Sequence, residues 1–253
     1  MVSFTEAQIL GWIAPYLWTF LRTLALFSAL PVLGTRTVPA RVRVALAAFI
    51  ALAVQASLPE VAEVPLDSVL AFGLVAQQMV VGLALGFAVR VVFAAVEFAG
   101  EVIGLQMGLN FAGFFDPITA ASGTATSRFY GTTIAWLFVV SGGHLLVIAA
   151  LVQSFTAFAV GPEPFAFVTQ VQPQRWGAEI FTMGLWIALP LVAMLLLVNL
   201  VLGLVSRVAP QLNVFSVGFP ITLGVGLLGL MLTLPALQSP FTMALERMLT
   251  LFR

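Results

Sequence analysis

Charged side chains are too scarce in this sequence to cover a water-facing surface. Only 8% of the 253 residues are charged, whereas 61% are hydrophobic, and the mean hydropathy is +1.12. A soluble domain carries about 25% charged residues. Most of the surface must therefore face lipid or other protein subunits. The long apolar runs predict an all-α, membrane-associated protein.

The sequence gives no support to nucleic-acid binding or to catalysis. The net charge is zero and lysine is absent, so no basic patch could hold a nucleic-acid backbone. Cysteine is absent as well, and the common hydrolase, metalloprotease, P-loop and dinucleotide motifs do not occur. We interpret the single histidine, His144, as a packed residue rather than a proton relay. We therefore expect a non-enzyme with no catalytic residue, no metal site and no cofactor.

Apolar segments long enough to be helices follow one another along the whole chain. A bilayer core about 30 Å thick takes about 20 helical residues, which predicts about six long apolar helices. A short amphipathic helix should end the chain, with Phe241, Leu245, Met248, Leu249 and Phe252 on its apolar side. The predicted ranges are 7–33, 44–58, 69–111, 129–158, 176–208 and 221–237 for the apolar helices and 239–253 for the amphipathic one.

The segment 69–111 contains no proline and no turn cluster in 43 residues. As one helix it would be about 65 Å long, twice the bilayer core. Two spans meeting at Arg90 are the alternative, but we favour one long helix that leaves the membrane.

A polar and glycine-rich stripe recurs at helical spacing along this segment. Glycines four residues apart let another helix approach closely. Gly82 and Gly86, earlier in the segment, have the same spacing. Two carboxylates at this spacing repel each other and require a cation, which a partner chain could supply. We favour a subunit interface over a proton or cation path. The stripe consists of Arg90, Glu97, Gly100, Glu101, Gly104 and Gly108.

Three phenylalanines lie at the end of this segment, within GLNFAGFFDP (108–117). Phe111, Phe114 and Phe115 are followed by a turn at Asp116 and Pro117. The aromatic belts of membrane proteins favour Trp and Tyr over Phe. We therefore favour an apolar stopper in a passage over a lipid-interface belt.

A second irregular segment, APQLNVFSVGFP (209–220), interrupts the apolar helices. Pro210 and Pro220 end helices, and Asn213 and Gly218 suit a loop. Irregular backbone is tolerated at membrane depth only where protein or water meets it.

These two segments, in this order and at this spacing, resemble the R-subunit family of type III secretion export gates, whose flagellar members are called FliR. The arginine-containing loop 34–43 and the apolar helices agree with the resemblance, which covers nearly the whole chain. The segment 209–220 is the specific signature. The segments look nearest to the flagellar branch.

The resemblance implies a structural subunit of the flagellar export gate in the bacterial inner membrane and basal body. Its implied partners are P-type and Q-type subunits, which form a helical cone with it, the B-type switch subunit, unfolded export substrates and lipid. Residues 1–175 would be the P-like part and 176–253 the Q-like hairpin. The family's pore plug maps onto the loop 108–128, with Phe111, Phe114 and Phe115 as its apolar residues. The alternatives are a virulence (injectisome) export-gate subunit and a proton-coupled secondary transporter that uses Arg90, Glu97 and Glu101.

Overall fold

The computed structural model describes residues 6–35, 38–58, 68–109, 123–161, 167, 171–209 and 217–252. This part of the chain is helical, which confirms the predicted fold class. Its eight α-helices are α1 (Glu6–Ala29), α2 (Ala40–Val54), α3 (Val69–Gln106), α4 (Ala125–Val140), α5 (Gly143–Ala157), α6 (Trp176–Val208), α7 (Phe219–Thr233) and α8 (Gln238–Leu249). Short 3-10 turns occupy Gln55–Ser57, Pro173–Arg175, Leu234–Leu237 and Thr250–Phe252.

Several helical segments have the length and composition of membrane spans. Four qualify among the described residues, and a fifth is added if α4 and α5 count as one broken span. The four are Ala40–Ser57, Leu70–Gln106, Pro173–Val208 and Phe219–Phe252. The chain is therefore an all-helical membrane protein.

The predicted helix boundaries hold for some helices and shift for others: α1 ends at Ala29 instead of residue 33, and α2 occupies Ala40–Val54 instead of 44–58. The long third helix is confirmed as 38 continuous residues, and α6 has the predicted bounds. The prediction of one helix over 129–158 is wrong. The chain breaks between α4 and α5, where Gly142 adopts a φ of +74°, a left-handed conformation that glycine reaches without steric cost. As a result His144 lies exposed in the first turn of α5 rather than packed inside a helix.

The chain forms two compact units, and both are assembled from separate stretches of sequence. The first comprises Met1–Arg90, Gly142–Trp176 and Leu245–Arg253, and the second comprises Val91–Ser141 and Gly177–Ala244. Helix α3 contributes to both. The proposed division of the sequence at residue 175 stays a prediction.

The core of the first unit gathers aromatic side chains. Trp18 packs with Ala71 and Leu74. At the C-terminus, Phe252 stacks on Phe167, with ring centroids 5.8 Å apart. The predicted apolar side of the C-terminal helix is confirmed, since all five of its residues are buried.

Helices α1 and α3 touch at two glycines of α3 in the first unit. A Cβ atom on Gly82 would lie 2.9 Å from Ala25 Cβ, and one on Gly86 would lie 2.7 Å from the Leu26 carbonyl oxygen. No side chain fits in that space. The helix that approaches this glycine pair therefore comes from the same chain.

A fully buried arginine lies in this unit. Arg22, on α1, is 0% exposed, and its Nε donates to Gln78 Oε1 at 2.7 Å. Its Nη1 donates to the Ser154 carbonyl at 2.7 Å and to Ser154 Oγ at 3.0 Å, and its Nη2 donates to the Phe158 carbonyl at 2.9 Å. The guanidinium also lies 3.7 Å from the centroid of the Phe155 ring, a cation–π contact.

These four hydrogen bonds compensate a buried charge with neutral oxygens, three of which lie at the end of a helix. Ser154 and Phe158 lie at the C-terminus of α5, where the helix dipole attracts a cation. Gln77, beside Gln78 on α3, donates to the next carbonyl, that of Ala159, at 3.1 Å. Side chains of α1 and α3 thus cap α5.

Replacing Arg22 by Met should lower the stability of the chain by about 3 kcal/mol, because Gln78 Oε1 and the Phe158 carbonyl lose their donors and each orphaned acceptor costs about 1–3 kcal/mol. Arg22→Lys should recover only part of the loss, since one ammonium cannot reproduce the guanidinium fork. Thermal unfolding of the purified chain in detergent measures both effects.

The exposed Arg41, on α2, provides the control: Arg41→Met should leave the unfolding midpoint unchanged. An unchanged or raised midpoint for Arg22→Met would mean that the desolvation cost of the buried cation equals or exceeds the benefit of its hydrogen bonds.

Candidate functional site

The residues predicted to form the stopper lie outside the described part of the chain. These are Phe111, Phe114, Phe115, Asp116 and Pro117. The structure does describe the residues on either side, from Glu97 to Leu109 and from Gly123 to Gly131. The candidate site is this base of the loop, which joins α3 to α4 in the second unit.

Glu101, on α3, binds the start of α4. Its Oε2 accepts hydrogen bonds from the Thr124 backbone N–H at 3.0 Å and from the Thr124 hydroxyl at 3.0 Å. Sequence reasoning expected the two carboxylates of the stripe to require a cation. Glu101 instead meets the N-terminus of a helix, where the dipole favours negative charge.

Thr124 is also the N-cap of α4. Its Oγ1 accepts from the Ser127 backbone N–H at 3.2 Å, as N-cap hydroxyls do. The preceding Gly123 has a φ of +83°, which glycine adopts readily. The signal in the sequence was the run Gly123-Thr124 just ahead of a helical pattern, but nothing in it pointed to Glu101 as the partner.

Two glycines of the stripe let the start of α4 pack closely on α3. A Cβ atom on Gly100 would lie 2.8 Å from Ser127 Cα and 2.9 Å from the Thr126 carbonyl oxygen, whereas one on Gly104 would meet the side chains of Thr124 and Thr126. The Ser127 hydroxyl donates to the Glu97 carbonyl at 3.0 Å. This part of the stripe packs inside the chain, and the subunit-interface role predicted for it stays a prediction.

The other members of the stripe differ in their exposure. The side chains of Arg90 and Glu97 are exposed, and that of Glu101 is half-buried. Gly108 does not lie on the helix, because α3 ends at Gln106 and Gly108 has a φ of +80°. A glycine with positive φ just past the last turn is a common helix terminator, and it ends α3 five residues before the predicted end.

Of the irregular segment 209–220, the structure describes only Ala209 and the residues from Val217 onward. Pro210 and Asn213 lie outside the described residues. Gly218 is buried at the N-cap of α7, and Pro220 lies in the first turn of that helix, where its missing N–H costs nothing. The Thr222 hydroxyl donates to the Gly218 carbonyl at 3.1 Å.

The sequence matches the family model of bacterial export proteins, family 1, over residues 13–248. The chain belongs to this family.

Relatives from distant bacteria match over nearly the full length. The flagellar biosynthetic protein FliR of Escherichia coli (strain K12) is 44% identical over 95% of this chain and 92% of its own length. The protein of the same name from Bacillus subtilis (strain 168) is 32% identical over 92% of each chain. That of Aquifex aeolicus (strain VF5) is 32% identical over 87% of this chain and 84% of its own.

These matches confirm the resemblance noted from the two motifs. Together with the apolar helices, they identify the chain as a membrane protein of the flagellar export apparatus and a component of flagellar biosynthesis.

Replacing Gly100 by Ala should destabilise the chain by about 1–3 kcal/mol, because the new methyl group would overlap backbone atoms of α4 and force the helices apart. The unfolding midpoint of the purified chain in detergent measures this effect.

Gly203, on α6, has no atom within 4 Å of its Cβ position and serves as the matched control. Gly203→Ala should be neutral or should stabilise the helix by up to about 1 kcal/mol. Equal losses for the two variants would contradict the close packing of α3 on α4.

Proposed function

We propose that this chain is a non-catalytic, structural subunit of the flagellar type III export gate in the bacterial inner membrane. With P-type and Q-type subunits it forms the pore through which unfolded flagellar proteins are secreted, next to the B-type switch subunit. The observation that carries the proposal is the exposed apolar surface of α6, which is longer than the hydrocarbon core of a bilayer is thick.

Helix α6 is apolar and largely unburied. In the apolar stretch of 18 residues that marks it as a membrane span, only 17% of the residues are buried. Large apolar side chains are exposed from Phe181, at 58%, to Val208, at 86%. At 1.5 Å per residue this strip is roughly 40 Å long, about 10 Å more than the hydrocarbon core. To fit into lipid this strip needs a tilt of about 40°, the upper end of the range for membrane helices, or a kink or a locally thicker bilayer.

The apolar surface continues on α7. Met231 and Leu232 are 73% and 80% exposed, and neither α6 nor α7 carries a charge between Glu179 and Arg207 or between Phe219 and Thr233. Water is an unfavourable neighbour for a surface of this size. Protein subunits with matching apolar helices would cover what lipid leaves exposed.

The relatives and the motifs support P-type and Q-type subunits as those partners. The relatives from all three bacteria carry a flagellar name, and the segments 108–117 and 209–220 resemble those of the gate's R subunit. In such an assembly this chain contributes walls and a seal to the channel, and the energy for export comes from other components.

The seal is the loop that contains Phe111, Phe114 and Phe115. Three apolar aromatic residues that follow a 38-residue helix in the sequence would close a narrow passage to hydrated ions, whose desolvation is costly. An unfolded chain passing through would displace them. The residues themselves lie outside the described part of the structure, so their role rests on the sequence.

Deleting Phe111–Phe115 should make cells that produce the assembled gate permeable to small ions or molecules, because the seal is lost. Ion efflux, or uptake of a small toxic compound, measures the leak.

The control replaces two exposed phenylalanines elsewhere, Phe49 and Phe72, by Ala in the same background. It should leave permeability at the wild-type level. If the deletion is incorporated into the gate and permeability does not rise, the assignment of the seal is wrong.

A further inference from the structure

We propose that Asn199, on α6, is a contact point for an apolar helix of a partner subunit that presents a polar side chain able both to donate and to accept a hydrogen bond. The inference rests on the proposed function, in which other subunits cover α6, and adds the chemistry that the covering helix must carry at this point. It uses only described residues of the second unit.

The buried face of α6 ends one turn before Asn199. Ala188, Leu191 and Leu195 are buried at helical spacing. Helix α7 packs on this face, where a Cβ atom on Gly229 would lie 2.6 Å from Leu191 Cδ1. Every residue of α6 beyond Leu195 is exposed or half-buried. Asn199 follows Leu195 by one turn on the same face, at the point where packing within the described chain stops.

Asn199 carries the one amide side chain of α6. The side chain is exposed, and no hydrogen bond joins it to another residue that the structure describes. The two hydroxyl side chains of the helix bond within it, because Thr182 donates to the Ala178 carbonyl at 3.1 Å and Ser206 donates to the Gly203 carbonyl at 2.8 Å. The amide of Asn199 therefore still needs partners.

Neither lipid nor water suits this position. Asn199 lies roughly 30 Å along the helix from Glu179 and 12 Å from Arg207, at 1.5 Å per residue, and so well inside the apolar strip. An amide without hydrogen bonds is costly in an apolar medium, and lipid tails offer none. The adjacent Leu196 and Leu200, 52% and 61% exposed, form a surface that is unfavourable in water. An apolar helix with a polar side chain meets both requirements.

The amide defines what that helix must offer. A carboxamide has two N–H donors and an oxygen that accepts, so an amide or hydroxyl side chain on the partner would complement it. One turn further along, nothing lies within 4 Å of the Cβ position of Gly203. A second helix can approach the backbone of α6 closely at such a glycine and bring its polar side chain within reach of Asn199.

The expected effect of losing the amide is on association and not on folding. Polar contacts between membrane helices change association by roughly three- to fifteen-fold each. Asn199→Leu keeps the approximate size of the side chain and removes the amide, so the variant should join the complex less readily. The purified variant alone should be at least as stable as the wild type, because an unpartnered amide leaves an apolar surface.

The test is a competition in cells. Wild-type and variant chains with different tags are produced together with the P-type and Q-type proteins of the same genome. The ratio of the two chains in the purified complex is divided by their ratio in the membrane. Asn199→Leu should be depleted roughly three- to fifteen-fold, and Asn199→Ser, which keeps a donor and an acceptor, should be depleted less. If Asn199→Leu is not produced, Asn199→Ala carries the comparison.

Thr182→Val is the matched control, since it removes an exposed polar group of α6 whose hydrogen bond lies within its own helix. It should compete equally with the wild-type chain. The unfolding midpoint of each purified chain in detergent is measured alongside, and that of Asn199→Leu should be unchanged or raised.

The outcomes separate this inference from the proposed function. If the wild-type chain forms the mixed complex and Asn199→Leu competes equally, the partners stand and the role of Asn199 is wrong. A lowered unfolding midpoint for purified Asn199→Leu would mean that the amide bonds within its own chain, which also overturns the inference. If the wild-type chain forms only a homo-oligomer that Asn199→Leu weakens, a second copy is the occupant, and both the inference and the proposed function fail.

Discussion

The buried guanidinium of Arg22 is the interaction on which the first unit of this protein depends. A charge in an apolar interior is tolerated only where oxygens surround it, and here the oxygens come from Gln78 and from the C-terminal carbonyls of α5. Gln78 and Phe158, which are 56 and 136 positions from Arg22 in the sequence, must therefore both reach its side chain. Alternative arrangements of the apolar helices would leave Arg22 unpaired, so a single buried cation selects one packing among many of similar hydrophobicity.

Helix α3 makes the same kind of glycine contact in the second unit as in the first. In its first half, Gly82 and Gly86 let α1 pack closely, and in its second half, Gly100 and Gly104 do the same for α4. Each contact brings backbones together where no side chain fits, and each is accompanied by a polar side chain of α3, Gln78 in one unit and Glu101 in the other. The cation that Gln78 binds, Arg22, meets the C-terminus of a helix, and Glu101 meets the N-terminus of another. For Arg22 and Glu101, helix termini thus provide the partners.

Composition and periodicity were sufficient to predict the all-helical class, the 38-residue helix α3, the bounds of α6 and the buried side of α8. They failed where a single residue determines a helix end or a long-range contact. Gly142 and Gly108, both with positive φ, end helices that hydropathy alone extends. The role of Arg22 was missed because its partners lie far away in sequence, and an arginine in an apolar helix has no local signature. The stripe on α3 was recognised, but the partner of Glu101 is a backbone N–H, which no sequence pattern marks.

The central claim is that this chain is one subunit of a mixed assembly whose other members cover the apolar strip of α6. Native mass spectrometry tests it most directly, on the chain co-expressed in mild detergent with the P-type and Q-type proteins encoded in its own genome. The account predicts a single copy of this chain held in a complex with both partners. A stable monomer or homo-oligomer that ignores them would contradict it.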